Sequence, residues 1–319
     1  MRAKARAQPN IALIKYWGKR DTERNLPAVG SISITLEELF TTMEIELLDG
    51  ATQDSLLVNG DTAPTMLPRV SRCIDRVLGR DRQKAVVTSE CNFPIAAGLA
   101  SSASAFAATV VAAAALGKKD IDTAGLASLA GATSGSAARS LYAGFAELRN
   151  EQDDIAVQSL RQPGEWPLKI VVAVTTAASK LVSSGDAMEI SRKTSPFYSS
   201  WVEKQHLDLD AARAAIRNRD FEALGSVAEH NCLKMHSVMW ASRPAMVYWN
   251  SATLNCLQTV RALQADGVSA FFTIDAGPQV KVVCLPQYEA DVRAALQATE
   301  GVTATMVSGL GCGAALVDR

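Results

Sequence analysis

Two adjacent hydroxyls open an Ala-rich apolar segment in NFPIAAGLASSASAF, residues 92–106. If that segment is a helix, its first N–H groups are unpaired and lie at the positive end of the helix dipole. The small residues around Gly98 would let an anion approach the backbone, and Ser101 and Ser102 would add donors. The pattern therefore fits a phosphate-binding loop, and it equally fits a turn at Gly98 followed by a simple N-cap at Ser101.

Three other stretches place charged side chains beside small or aromatic neighbours. Arg139 lies among serines in TSGSAARSLYAGF, where its planar guanidinium could bind a carboxylate or a phosphate. Lys15 and Lys19 flank an aromatic pair in NIALIKYWGKRD, and Asp275 ends a β-rich run in IDAGPQ. Each also has a purely structural explanation: a solvated arginine, surface lysines with their stems on apolar residues, or an aspartate that starts a turn.

Two further motifs carry less information about chemistry. His230, Cys232 and His236 in HNCLKMH could supply zinc ligands, but no second ligand pair is evident, so packing within a helix is the favoured interpretation. The run SGLGCGA, residues 308–314, resembles a Gly-rich nucleotide loop. A strand-like run follows it instead of a helix, which favours a turn near the binding cleft.

Composition restricts the class of protein. Of the 319 residues, 48% are hydrophobic and 20% are charged, which favours a globular core over disorder. The net charge of −1 implies no general attraction to nucleic acid or anionic membranes, so an anion site must be local. The six cysteines form no C-x-x-C motif and fit free thiols in a reducing cytoplasm. No apolar segment of signal-peptide length follows the basic N-terminus, and the most apolar run, residues 103–116, is too short to span a membrane.

Hydrophobic patterning predicts alternating strands and helices in an α+β fold, with strands contributed by both ends of the chain. The strand-like runs are residues 31–36, 41–47, 85–90, 168–176, 268–274, 280–286 and 301–307. The helical segments are residues 103–116, 122–130, 196–217, 219–240 and 247–265. We expect the first two strands to pair with each other, and the continuous β-branched run at 168–176 to be a central strand.

Taken together, these motifs resemble the signature segments of the mevalonate diphosphate decarboxylases, a family of the GHMP kinase superfamily. The matching segments are PNIALIKYWGKRD, NLP, NFPIAAGLASSASAFAA, SGSAARSLYAGF and DAGPQ. They occur in the family's order from about Pro9 to the C-terminal strands, so the resemblance covers nearly the whole chain. The Gly-Leu-x-Ser-Ser loop is common to the superfamily, whereas Lys-Tyr-Trp-Gly-Lys and Asp-Ala-Gly-Pro distinguish the decarboxylases.

The resemblance implies a two-lobed GHMP-kinase-like fold with a deep cleft between the lobes. Residues 1–180 would form an N-terminal lobe like domain 2 of ribosomal protein S5, with the ATP phosphate loop. Residues 181–319 would form a ferredoxin-like C-terminal lobe. The family also implies a cytoplasmic homodimer that acts on a small-molecule substrate, with no nucleic-acid or membrane partner.

The implied reaction is the ATP-dependent decarboxylation of mevalonate 5-diphosphate to isopentenyl diphosphate, a step of isoprenoid and lipid biosynthesis, with Mg²⁺. Asp275 would lie against the 3-hydroxyl as base or orienting anion, Arg139 would hold the C1 carboxylate, and Lys15 would add positive charge beside the phosphoryl group. The residues implied to bind substrate are Tyr16, Trp17, Gly18, Lys19, Arg69, Ser134, Gly135, Ser136, Arg139, Ser183, Ser184 and Gly185. Those implied to bind ATP are Pro94, Ala97, Gly98, Leu99, Ala100, Ser101 and Ser102, with Ser102 also near the metal.

The chain departs from the family pattern at several positions. Gln279 replaces the usual Asn and Ala138 the usual Cys, while Val29-Gly30 and Gly185-Asp186 alter segments implied to contact substrate. Alternatives are therefore a decarboxylase of mevalonate 5-phosphate, or a GHMP kinase that phosphorylates a mevalonate-type substrate without decarboxylation. A non-catalytic relative is disfavoured by Asp275 and the intact Gly98–Ser102 loop.

Overall fold

The structure is a computed structural model that describes residues 1–94, 101–176 and 182–317. Its strands in the first half of the chain are β1 (Arg2–Ala7), β2 (Asn10–Ile14), β3 (Lys19–Asp21), β4 (Leu26–Pro27), β5 (Ser31–Thr35), β6 (Thr41–Leu48), β7 (Ser55–Val58), β8 (Asp61–Thr62) and β9 (Lys84–Cys91). The later strands are β10 (Phe145–Asn150), β11 (Ile155–Arg161), β12 (Lys169–Val174), β13 (Ala270–Ile274), β14 (Val280–Cys284), β15 (Ala304–Ser308) and β16 (Ala315–Leu316).

The helices are α1 (Leu67–Leu78), α2 (Ser101–Leu116), α3 (Thr123–Gly131), α4 (Ser184–Thr194), α5 (Tyr198–Asn218), α6 (Phe221–Trp240), α7 (Ser251–Ala265) and α8 (Glu289–Ala298). A short 3-10 helix, Ala137–Leu141, contains Arg139. The predicted helices at 103–116, 122–130, 196–217, 219–240 and 247–265 are confirmed. Within the described ranges, no helix is long and apolar enough to cross a membrane.

The first sheet has six strands in the order β16-β1-β6-β9-β7-β8. Strands β1 and β16 come from opposite ends of the chain and pair antiparallel, which confirms that both ends contribute strands. Helix α2 packs on this sheet and contributes Ala107, Ala108 and Ala112 to its core. A helix that is apolar on every side must be buried, and alanines let its backbone approach the sheet closely.

The second sheet has the order β11-β10-β5-β2. Strand β5 pairs with β2 and β10, whereas β6 pairs with β1 and β9 in the first sheet. The expected pairing of the strands at 31–36 and 41–47 is therefore wrong. Alternating β-branched residues favour the strand state, but long-range packing decides which strands become neighbours.

The third sheet has the order β13-β14-β12-β15, and α7 and α8 pack against it. Strand β12 pairs on both sides, with β14 and β15, and is buried, which confirms the predicted central strand. Helix α6 contacts β13 of this sheet and also β2 of the second sheet. It thereby connects the two strands whose ends carry Lys15 and Asp275.

Candidate active site

One cleft of about 670 Å³ collects most of the side chains that the sequence singles out. Its walls come from the end of β2, the start of α2, the segment before and through the short 3-10 helix, the start of α4 and the end of β13. The lining residues that the sequence analysis names are Lys15, Tyr16, Trp17, Lys19, Arg69, Ser101, Ser102, Ser134, Gly135, Ser136, Arg139, Ser183, Ser184, Gly185 and Asp275.

An ion pair between Lys15 and Asp275 lies at the centre of this cleft. Lys15 Nζ donates a hydrogen bond of 2.7 Å to Asp275 Oδ1. Asp275 Oδ2 is enclosed and accepts no aligned hydrogen bond from the described residues, although Lys281 Nζ lies 3.2 Å from it. Burial alone would raise the pKa of Asp275, but Lys15 and Lys281 outweigh it and hold the pKa well below its usual range. Asp275 is therefore an anion that lies between two lysines at the wall of the cleft.

Two helices fix the position of Lys15. The backbone N–H of Lys15 donates to Asn231 Oδ1 on α6 at 2.7 Å, and Gln205 on α5 donates to its carbonyl oxygen at 2.7 Å. Asn231 also donates to Gln205 and to Asp208. Because the side chain of Lys15 is only 1% exposed, it is not a surface lysine but a buried cation aimed at Asp275.

Arg139 is held by three polar side chains of neighbouring strands. Its Nε donates to Ser33 at 2.9 Å, Nη1 to Ser31 at 2.5 Å and Nη2 to Asn10 at 3.2 Å. A guanidinium has five N–H donors, so two remain for a ligand in the cleft. Burial lowers the pKa of Arg139 to about 10, while Asp275 opposes this effect, so the group stays cationic at neutral pH. This placement contradicts a solvated arginine.

Positive charge also lies at the mouth of the cleft beside the start of α4. Ser183 caps this helix by accepting from the backbone N–H of Asp186, and a Cβ at Gly185 would lie 3.8 Å from Lys19 Nζ. Burial and the nearby Arg69 lower the pKa of Lys19. Arg69 donates to the carbonyl oxygen of Thr133 at 3.2 Å. The lysine, the arginine and the helix N-terminus place positive charge together here, and the nearby carboxylates of Asp186 and Glu189 partly offset it.

A row of hydroxyls continues the wall at the start of α2. Ser102 Oγ lies 3.5 Å from Ser134 Oγ, which lies 3.3 Å from Ser136 Oγ. The expectations for Ala97, Gly98, Leu99 and Ala100 fall outside the described residues. Pro94 is exposed and does not line the cleft.

Two of the expected substrate-binding residues contribute mainly to structure. Trp17 borders the cleft but is 1% exposed and donates from Nε1 to Ser191 Oγ at 3.0 Å, so its ring belongs to the core. Gly18 does not line the cleft. It has φ of 104°, and a Cβ there would meet the hydroxyl of Tyr198. It is therefore a turn that tolerates no side chain, between Trp17 and Lys19.

Family models account for both parts of the chain. Residues 7–159 match the diphosphomevalonate decarboxylase-like N-terminal domain, and residues 170–308 match the mevalonate 5-diphosphate decarboxylase C-terminal domain. The diphosphomevalonate decarboxylase of Candida albicans is 33% identical over 302 residues, which span 88% of this chain and 83% of that protein.

This chain belongs to the diphosphomevalonate decarboxylase family. The solved structure of mevalonate diphosphate decarboxylase from Staphylococcus aureus superimposes with a TM-score of 0.93 at 33% identity, covering 99% of this chain and 98% of that chain. MDDEF in complex with MVAPP, AMPPCP and magnesium superimposes with a TM-score of 0.92 at 31% identity, covering 100% and 99%. The expected α+β GHMP-like fold is thereby confirmed.

Several residues that the sequence motifs did not indicate hold the charged side chains of the cleft in place. Asn10, Ser31 and Ser33 hold Arg139, and their only signal was polarity within strands that are otherwise apolar. Lys281 lies in β14, three residues after the Asp-Ala-Gly-Pro motif, and is fully buried behind Asp275. A lysine within the valine-rich run VKVVC was a visible anomaly.

The two weaker motifs have structural roles. His236 and Cys232 are buried on α6 against the backbone of Ile274, while His230 is exposed. No group of three metal-ligating side chains of the His, Cys, Asp and Glu types occurs in the described part of the chain. In SGLGCGA, a Cβ at Gly311 would meet the carbonyl of Leu36, and one at Gly313 that of Leu141. These glycines permit close contact between backbones.

Proposed function

We propose that this chain converts ATP and mevalonate 5-diphosphate into ADP, phosphate, carbon dioxide and isopentenyl diphosphate. The observation that carries the proposal is the meeting of Asp275, Lys15 and Arg139 in one cleft of a chain that belongs to this family. A pure kinase needs an anion or base beside the hydroxyl and a cation beside the phosphates. The buried Arg139 adds a two-point site for the carboxylate that must leave as carbon dioxide.

The proposed roles follow from the open donors and acceptors. The 3-hydroxyl of the substrate donates to the carboxylate of Asp275, which lines the cleft. Lys15 donates to Asp275 Oδ1, and its positive charge can stabilise the γ-phosphoryl group during transfer. The low pKa of Asp275 favours an orienting anion over a strong general base.

The bond changes balance in two steps. The 3-oxygen attacks the γ-phosphorus, ADP leaves, and the hydroxyl proton passes to an oxygen of the transferred phosphoryl group. The C3–O bond then breaks with departure of phosphate, which builds positive charge at C3. The electrons of the C1–C2 bond move to form the C2=C3 double bond, and C1 leaves as carbon dioxide. Arg139 keeps the carboxylate anionic and oriented so that this bond can break.

The remaining polar groups divide between the two phosphate-bearing ends of the reactants. Lys19, Arg69, Tyr16 and the start of α4 suit the 5-diphosphate, and the hydroxyls at the start of α2 suit ATP. Mg²⁺ is usually held by phosphates, water and one or two protein oxygens, so the Ser102 hydroxyl fits it without a carboxylate cluster. When bound, Mg²⁺ would neutralise charge on the transferring phosphates.

The test is to incubate the purified protein with ATP, Mg²⁺ and one of mevalonate 5-diphosphate, mevalonate 5-phosphate or mevalonate. ADP, phosphate and carbon dioxide are then measured in the same reaction. We expect equal amounts of all three products with the diphosphate. ADP without carbon dioxide would establish a kinase instead, and turnover confined to the monophosphate would contradict the proposed substrate.

We further propose two lobes and a cytoplasmic homodimer. The sequence analysis divides the lobes between residues 180 and 181, while the pairing of β12 with β14 and β15 favours a boundary just before Lys169.

The six cysteines are all free, which supports a reducing compartment. Leu207, Val247 and Leu254 are exposed apolar side chains that a second copy could cover. Light scattering on the purified chain tests the dimer.

A further inference from the structure

A second lysine lies behind Asp275, outside the wall of the cleft. Lys281 on β14 has 0% of its side chain exposed, and its Nζ is 3.2 Å from Asp275 Oδ2. Its neighbours in the strand, Val280, Val282 and Val283, are buried in apolar cores. Lys281 is not among the residues that line the cleft, and its ion pair with Asp275 connects it to the site.

A buried ammonium group is costly unless a partner of opposite charge compensates it. Burial lowers the pKa of Lys281, and Asp275 opposes that effect. A methionine would fill the same space without bringing a charge into the core. The positive charge at this position is compensated by the Asp275 carboxylate beside it, and the charge itself is not needed to fill the space in the core.

Within the part of the chain that the structure describes, the other titratable groups that face Asp275 come from three segments. Lys15 follows β2, Arg139 lies in the short 3-10 helix, and Cys232 and His236 lie on α6. Burial raises the pKa of Cys232 and lowers that of His236 to about 3, so both are neutral at neutral pH. Lys15 and Arg139 line the cleft and face the reactants. Lys281 approaches the same carboxylate from inside the protein.

We propose that Lys281 is a positioning residue that keeps Asp275 ionised and oriented for the substrate hydroxyl. Because Lys281 shares the negative charge of Asp275, the positive charge of Lys15 can act on the transferring phosphoryl group. Without the charge of Lys281, Lys15 and Asp275 would form a pair with no net charge. With Lys281 behind it, the group of three carries a net positive charge beside the transferring phosphate. This inference rests on the proposed function.

The kinetic test is Lys281→Met, with Lys169→Met on β12 as the matched control, because Lys169 is partly exposed and pairs with Glu289 at the surface. We expect Lys281→Met to lower kcat about tenfold, less than the ~10²–10³ lost with a donor that contacts the reacting group. The acid limb of the kcat/KM profile should move to higher pH, because Asp275 loses a neighbouring cation. An unchanged kcat and acid limb would overturn the proposal.

The double variant separates this role from damage to the fold. In an Asp275→Asn background, Lys281→Met should change the remaining rate by less than about threefold, because the carboxylate on which Lys281 acts is absent. Equal losses in both backgrounds would indicate a merely structural role. Thermal unfolding of each variant shows whether it is folded, and Lys281→Gln replaces Lys281→Met if the latter does not fold.

A measurement of stability tests the inference even if the proposed reaction is not observed. A carboxyl whose pKa falls on folding stabilises the fold above its unfolded pKa of about 3.9, and this stabilisation is lost as the pH falls through the folded pKa. Lys281→Met should raise the folded pKa of Asp275. The destabilisation caused by Asp275→Asn at about pH 7 should therefore be smaller in the Lys281→Met background. An undiminished effect would contradict the pairing, whereas absence of products from the parent protein would contradict only the proposed reaction.

Discussion

Asp275 combines three properties that are hard to place together: an ionised carboxylate, a buried oxygen without an aligned partner in the described residues, and contact with a cleft. We expect Asp275→Asn to keep nucleotide binding and to lose about 10²–10⁴-fold in turnover, because an amide supplies neither the charge nor the proton acceptor. Steady-state kinetics together with the Kd of an ATP analogue checks this. Activity within about threefold of the parent would remove Asp275 from the mechanism.

A substitution at Arg139 distinguishes decarboxylation from simple phosphorylation, because this side chain is proposed to hold the carboxylate that leaves as carbon dioxide. Lysine keeps the charge but cannot reproduce a planar two-point contact, nor the three bonds to Asn10, Ser31 and Ser33. We expect Arg139→Lys to lower carbon dioxide release at least ~10-fold, a loss of about 1.4 kcal/mol in transition-state stabilisation. The same substitution at the exposed Arg149 is the control. Undiminished release by the Arg139 variant, with ADP measured in parallel, would refute the assigned role.

Sequence alone could identify the residues whose polarity stands out, and not the small polar residues that act from within a strand. Asp275 and Arg139 follow from turns and clusters of small residues, and the family resemblance gave them roles. Ser31 and Ser33 differ from their apolar neighbours only by a hydroxyl, and their meeting with Arg139 depends on which sheet β5 joins. Such long-range contacts are not encoded in local spacing.

Helix α2 joins the hydroxyl row to a core that consists largely of alanine, so its first turn can be tested apart from its packing. We expect Ser102→Ala to reduce phosphoryl transfer strongly while costing at most about 1 kcal/mol of stability, since a partly exposed hydroxyl at a helix start contributes little to folding. Ser251→Ala, at the exposed start of α7, is the matched control. If Ser102→Ala lowers the melting temperature but leaves ADP formation unchanged, the residue only caps the helix.

At the level of elements, most helical segments and the β-branched runs were predicted, whereas the helices α1, α4 and α8 were not. Helix α4 begins with Ser-Gly-Asp, which have poor helix propensity, and it exists because Ser183 caps it and its apolar residues pack beside Trp17. The pairing of β5 and β6 with different sheets shows the same limit. Local pattern gives the state of a segment, and tertiary packing gives its partner.

Over the whole molecule, the two charge signs nearly cancel, but their distribution is uneven. The net charge is −1, while the cleft collects Lys15, Lys19, Arg69 and Arg139 against Asp275. The sequence predicted that any anion site must be local, and the convergence of four distant segments on one cleft is what creates it. Helix α6, in contact with both β2 and β13, makes this convergence possible.

This uneven distribution predicts binding that depends on salt in a chain that is nearly neutral. We expect the Kd of mevalonate 5-diphosphate to rise at least about threefold between low and physiological ionic strength, because salt screens the field of the cleft beyond a Debye length of about 8–10 Å. Lys19→Gln should reduce the slope, whereas Lys119→Gln, beyond the far end of α2, should not. Titration calorimetry in potassium chloride measures this without competing anions such as sulfate. A Kd that is independent of salt, or equal slopes in the two variants, would show that the cations of the cleft do not attract the substrate through their charge.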